Sequence, residues 1–317
     1  MTRHAASILV LVATVMASSS SEGAPGETPR TPARASGGVA AAAVHRVAVI
    51  GHRGARAVRP ENTLAAFAYA LQAGVDAIEL DLAVTRDDHL VVSHDPLVNG
   101  DLCLDPDGRR LTDRPPIRSL TLDEVRRFDC GTLHNPRFPD QVPVPGQRIP
   151  TFEEVLALLR EPAGRDGPPA RLLVEMKTVP GRPDLGPPPD RLAGLVVAAV
   201  HASGLADRLT IQSFDHRVLT AVRALDPSIA LSALVAENRP ADPVAVARAA
   251  GAGVLAPHHE WIGADDVRAL HEAGLKVLPW TANGTAAWDR LLDLGVDGII
   301  TDDPAGLIAH LHGKGLR

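Results

Sequence analysis

Lysine is almost missing from this chain of 317 residues: among its 32 basic residues only Lys177, Lys276 and Lys314 are lysines, and the rest are arginines. A lysine at a critical place therefore stands out. Aromatic side chains are also sparse, at 3%, so any large core must rest on Ala, Val, Leu and Ile. No basic stripe breaks the mixed charge pattern, and the formal net charge is −6. That excludes nucleic acid as a principal partner. What is present, 45% hydrophobic and 22% charged residues, is the composition of a globular protein. The length allows one large domain or two ordinary ones.

The chain starts with a short basic stretch and an apolar run, Ala5 to Ala17, too short for an ordinary membrane span. Residues 1–24 are expected to be an export signal, 25–45 a flexible linker rich in Ser, Gly, Pro, Ala and Thr, and 46–317 the folded domain. No cysteine ends the apolar run, which argues against a lipid anchor, and no membrane span is expected after removal of the signal. Export gives the only two cysteines a meaning. Cys103 and Cys130 lie in a loop-rich stretch, where an oxidising compartment favours pairing them; two unrelated thiols are the alternative.

From Arg46 onward, short β-branched runs alternate with helical patterns. Strands are expected at Val47–Ile50, Ala77–Ala83, Leu172–Met176, Leu209–Gln212, Ile229–Val235, Gly253–Ala256, Val277–Trp280 and Gly298–Thr301. Helices are expected at Asn62–Ala73, Phe152–Arg160, Arg191–Ala202, His216–Leu225, Pro243–Ala250, Asp265–Ala273, Ala286–Leu294 and Ala305–Leu311, several of them ending at a glycine. Such alternation predicts an α/β fold with a parallel sheet, and its strand number closes a (β/α)8 barrel. A doubly wound open sheet would carry a longer Gly-rich loop after its first strand than Gly51–Gly54 provides. The regularity breaks at about 97–149, a Pro-, Asp-, Gly- and Arg-rich stretch with one short helix expected at Leu122–Phe128. It is too long for an ordinary connection and reads as an insertion at the barrel mouth, either a lid or a surface loop.

In a barrel the chemistry sits at the C-terminal ends of the strands. The first expected strand ends in Gly51-His52-Arg53-Gly54, a proton-transfer group and a fixed cation between glycines. Glu79 and Asp81 stand two positions apart on the second strand and so share one face, roughly 6–7 Å apart. Glu175 and Lys177 repeat that spacing at the end of the third. Three carboxylates confined to an apolar environment are costly unless paired or bound to a cation. An oxygen-only set suits Ca²⁺ or Mg²⁺ better than zinc. His94, in Ser93-His94-Asp95-Pro96, supplies a second histidine, and two histidines around an anionic ester can serve as acid and base. These residues reach metal-assisted phosphoester or related hydrolysis and do not select a substrate.

The segments Gly51 to Thr63 (GHRGARAVRPENT), Ala77 to Asp81 (AIELD) and Ser93 to Pro96 (SHDP) closely resemble the glycerophosphodiester phosphodiesterase family, within the phosphatidylinositol-phosphodiesterase-like barrel superfamily. The likeness continues through Ile149-Pro150-Thr151, Glu175-Met176-Lys177, Gln212-Ser213-Phe214, Trp280 to Asn283 and Asp297 to Pro304. It implies a (β/α)8 barrel that hydrolyses small glycerophosphodiesters to glycerol 3-phosphate and an alcohol with one divalent cation. By the same resemblance His52 and His94 match the acid–base pair, and Glu79, Asp81 and Glu175 the metal ligands. Arg53 and Lys177 match phosphate-holding groups, while Gln212 and Trp280 wall the glycerol pocket. Glu61 falls either at the site or beside the first helix's positive end, which Asn62 or Thr63 would cap. His258, His259 and Glu260 resemble a metal cluster, but neighbouring histidines on a strand point apart. Asp302 and Asp303 read as organisers of the loop into the last helix. The rivals are a phospholipase D-like enzyme acting on lysophospholipids or sphingomyelin, a hydrolase of glycerol-phosphate wall polymers, and a non-catalytic barrel. The last would be expected to have lost part of the set that this chain keeps.

Overall fold

A computed structural model describes residues 46–161, 168–236 and 238–317. The expected signal and linker, 1–45, lie outside the described residues. Strands β1 (Ala48–Gly51), β2 (Ala77–Val84), β4 (Arg171–Met176), β5 (Leu209–Ser213), β6 (Ala230–Val235), β7 (Val254–Pro257), β8 (Lys276–Val277) and β9 (Gly298–Thr301) pair in parallel in the order β8-β7-β6-β5-β4-β2-β1-β9. Backbone hydrogen bonds then close the ring: Asp297 N–H donates to Val277 O at 3.0 Å, Ile300 to Pro279 O at 3.0 Å and Ala282 to Ile300 O at 3.0 Å. The sheet is therefore a barrel and not the open alternative. The expected strand at Val277–Trp280 is regular only over Lys276–Val277. Pro279 has no N–H to give the ladder, and Trp280 rejoins through an isolated bridge to His258.

Five of the outer helices start where a side chain accepts a free N–H of the first turn. Thr63 caps α1 (Leu64–Ala73), Thr151 closes a capping box on α3 (Phe152–Arg160), Asp215 caps α5 (His216–Leu225), and Asp242 caps α6 (Pro243–Ala250). Asp303 caps α9 (Pro304–Gly313). The remaining outer helices are α4 (Pro189–Ser203), α7 (Ala264–Glu272) and α8 (Thr285–Leu294). None of the described helices is long and apolar enough to cross a membrane.

Period-two alternation sorts each strand into an outer and an inner row. Ile78, Leu80 and Leu82 of β2 and Leu172, Val174 and Met176 of β4 join the large core under the helices. The inner row begins apolar, with Ile50, Ala77, Leu173 and Ile300 forming a separate buried plug. The next inner positions carry the charged residues taken up below.

One strand went unforeseen. β3 (Leu90–Val92) folds back antiparallel on the end of β2, with Leu82 opposite Val92. The segment 97–149 follows, containing α2 (Leu122–Val125), which is shorter than the helix expected over Leu122–Phe128. It has a small core of its own around Val98, Ile117, Val125 and Phe128, and Cys103 and Cys130 are joined there in a disulfide, as expected. Its tip reaches the turn after β1, where Gln141 Nε2 donates to Arg56 O at 2.8 Å and Val142 N–H to Val58 O at 3.1 Å.

Candidate active site

The turn after β1 is built for close approach. Gly54 has φ 85°, and a Cβ there would lie 2.7 Å from the Ala66 backbone, so no other residue fits. Arg53 and Asn62 also hold positive φ, 48° and 55°, a conformation that costs non-glycine residues and concentrates at functional sites. Their bonds explain it. Arg53 N–H donates to Glu79 Oε2 at 3.0 Å, while Asn62 N–H donates to Arg53 O at 3.1 Å and Asn62 Nδ2 to Asp81 Oδ2 at 2.9 Å. Thr63, not Asn62, is the helix cap.

Glu79, Asp81 and Glu175 come together in the barrel interior, each offering an oxygen within 4.8 Å of the others, and all three are buried. Asp81 sits opposite Glu175 in the β2–β4 ladder, so adjacent strands bring the pair into one layer. Two cations face the cluster. Lys177 Nζ bonds Glu175 and lies 3.2 Å from Asp81 Oδ1, while Arg53 Nη1 donates to Glu61 Oε1 at 2.6 Å and its Nε lies 3.3 Å from Asp81 Oδ2. Glu61 is thus a partner of Arg53 behind the cluster and not a helix-end charge. Gln212 Nε2 donates to Glu79 Oε1 at 3.2 Å.

Burial and the neighbouring charges of Asp81 and Glu175 push the Glu79 carboxyl well above its ordinary range. Burial raises Glu175 to about 7, despite Lys177. Burial works the same way on Asp81, but Lys177 and Arg53 outweigh it and hold its carboxyl well below the usual range. Were all four carboxylates ionised against the two cations, two negative charges would be in excess; the raised Glu79 and Glu175 carboxyls mark that excess, which one divalent cation would balance. Three buried carboxylates whose oxygens converge within 4.8 Å, with no nitrogen or sulfur donor among them, form the oxygen donor set of a hard divalent ion. The residues therefore fit a divalent ion.

The two histidines approach from different sides, each turned by a carboxylate. His52 Nδ1 bonds Asp302 Oδ1 at 2.7 Å, which leaves its Nε2 facing the cavity 3.9 Å from Glu79 Oε2. Burial lowers His52 to about 4, more than the Asp302 bond restores. Asp302 is also held by Arg56 Nε at 2.6 Å and Asn283 Nδ2 at 2.8 Å. Burial opposes its charge, but His52 and Arg56 keep its carboxyl well below the ordinary range. His94 follows β3, placed there because Ser93 N–H donates to Asp81 O at 3.0 Å. Its Nδ1 bonds Asp95 Oδ1 at 2.9 Å, and Asn99 Nδ2 steadies Asp95 Oδ2 at 2.7 Å. His52, Arg53, Glu79, His94, Glu175, Lys177, Gln212 and Trp280 all line one cavity of about 220 Å³. Trp280 is fixed by Nε1 donating to Ala256 O at 2.9 Å and packs edge-on against Phe214.

Asp303 organises the last helix as expected. Asp302 does not; it is the orienting partner of His52. Sequence reasoning missed it, with Arg56, Asn283, Asp95 and Asn99. The same period-two rule, continued past Ile300, would have put Asp302 on the inner row. His258 and His259 are not joined to any carboxylate cluster among the described residues. Their rings do not diverge as strand alternation implied but lie 5.1 Å apart, because the strand ends at Pro257 and His259 is already in a turn.

A parallel barrel with this charged inner layer at the C-terminal ends of its strands has the architecture of a barrel hydrolase for anionic esters. Residues 52–306 match the model of the glycerophosphoryl diester phosphodiesterase family. A glycerophosphodiester phosphodiesterase from Caldanaerobacter subterraneus subsp. tengcongensis is 32% identical over 82% of this chain and 96% of its own length. One from Bacillus subtilis is 28% identical over 82% of this chain and 84% of its own. A solved structure from Silicibacter pomeroyi, 33% identical, covers 86% of this chain and 95% of that one with a TM-score of 0.78. The chain belongs to the glycerophosphoryl diester phosphodiesterase family.

Proposed function

We propose that the chain hydrolyses small glycerophosphodiesters to glycerol 3-phosphate and an alcohol, with His52 and His94 moving the protons and Glu79, Asp81 and Glu175 holding one Ca²⁺ or Mg²⁺. The observation that carries this reading is the pair of histidines, each oriented by a carboxylate, lining the cavity that Glu79 and Glu175 also line, with Asp81 in the same acid cluster.

Each carboxylate accepts from its histidine's Nδ1–H, which turns Nε2 towards the cavity, bare on His52 as the base and carrying a second proton on His94 as the acid. Burial keeps His52 neutral, so its Nε2 is the base that takes the proton of the attacking oxygen. His94, at the open edge of the cavity, is the acid that returns a proton to the departing alcohol. Gln212 and Trp280 wall the glycerol end. Arg53 and Lys177 are held at the cluster by its carboxylates and bring positive charge to the phosphate. The cation, when bound, supplies further charge stabilisation for the phosphoryl oxygens; its all-oxygen ligand set favours Ca²⁺ or Mg²⁺. The disulfide supports export of the chain, since such bonds persist in oxidising compartments.

The test is glycerol 3-phosphate release from glycerophosphoglycerol, measured with and without EDTA and after Ca²⁺ or Mg²⁺ is restored. Turnover is expected to vanish with the chelator and return with one ion. Turnover that survives exhaustive chelation would refute the role given to the three acids.

A further inference from the structure

A second cavity of about 480 Å³ adjoins the first and shares with it His94, Glu175, Lys177 and Phe214. It runs away from Gln212 and Trp280, between the end of β2 and the loop from β4 to α4. We infer that this groove seats the alcohol half of the diester, and that the alcohol it accepts is neutral and apolar; the inference rests on the phosphodiesterase reading above.

The first argument is continuity. The smaller cavity holds both histidines and the glycerol wall, so a diester whose phosphate lies beside Lys177 finds room for its other substituent past His94 in the groove. In the reaction water adds to phosphorus, the bond from phosphorus to the alcohol oxygen breaks, and a proton from His94 completes the alcohol there, while His52 takes the proton lost by water. The second argument is chemistry. The far walls are Leu82, Val84, Val179, Leu185, Pro187 and the half-exposed ring of Phe214. Each carboxylate lining the groove already has a partner. Glu175 is bonded by Lys177, Asp95 by His94 and Asn99, and Asp215 by Thr178 Oγ1 at 2.6 Å and by Arg217 Nε at 2.8 Å. Phe214 is the single aromatic ring on the walls, so no aromatic cage surrounds a cation. A choline or ethanolamine head would lose water without gaining a free counter-charge, whereas an alkyl alcohol gains up to about fourfold in binding for each buried methylene.

The test compares two diesters of the same shape, glycerophosphocholine and its neutral analogue carrying 3,3-dimethylbutanol, as kcat/KM for glycerol 3-phosphate release by the full chain. The neutral ester is expected to lead by about tenfold or more. Equal rates, or a preference for choline, would overturn the inference. Leu185→Glu, which puts an unpaired carboxylate on the groove wall, is expected to shift the ratio towards choline by about tenfold. An unchanged ratio in a folded variant would place the alcohol elsewhere and overturn it too, and if the variant does not fold the parent's ratio decides alone. No glycerol 3-phosphate from either ester, with any divalent ion, would instead defeat the phosphodiesterase reading itself.

Discussion

Two layers of the barrel interior lie only one side-chain step apart and behave in opposite ways. In the lower layer Ile50, Ala77, Leu173 and Ile300 make a dry plug; two residues along the same strands stand His52, Glu79, Glu175 and Asp302. Burial does not separate them, since Leu173 is 4% exposed and Glu175 7%. What separates them is how burial is compensated. The lower residues gain from losing water, while the upper ones are tolerated only because each meets an opposite charge or a donor, and the balance still leaves negative charge to spare. The lower layer holds the strand ends in position, and the upper layer spends stability on chemistry.

That contrast can be broken from either side. The largest effect is expected from Glu79→Gln: kcat/KM should fall by about a thousandfold or more. Its thermal midpoint in EDTA should be no lower than the parent's, because an acid whose charge is disfavoured there becomes a neutral amide; a lower midpoint in a melting experiment would show that Glu79 is structural. Leu173→Ala in the lower layer should do the reverse, costing about 2–5 kcal/mol in denaturant unfolding with kcat/KM little changed below the midpoint. Asp302→Asn, at the seam between the layers' roles, should lower kcat by roughly a hundredfold with KM nearly constant, read by steady-state kinetics; a loss confined to KM would mean that Asp302 does not act through His52.

Most of the barrel was legible because its signals are local. Alternation of β-branched and helical runs located the eight barrel strands, and period two put Glu79 and Asp81 on one shared face, which the structure makes the inner one. Resemblance then supplied the roles of His52 and His94. The hidden parts depend on contacts between distant residues. Asp302 meets His52 across 250 positions, and nothing near Asp302 announces that partner. Asn62 looked like a helix cap because Asn commonly is one, yet the positive φ that turns it towards Asp81 comes from the packing of the whole turn. β3 was too short to register as a strand until it paired with β2.

The bond between His52 and Asp302 joins the first barrel strand to the last. Its two ends are therefore among the most widely separated residues in the domain, and the ring must close before His52 has its orienting partner. During synthesis the acids on β2 and β4, together with both histidines, emerge long before Asp302. A nascent or C-terminally shortened chain can thus carry both histidines and all three acids while His52 still lacks its orienting partner. Catalysis becomes a late event in the life of the polypeptide, a sign that the final strand has been laid.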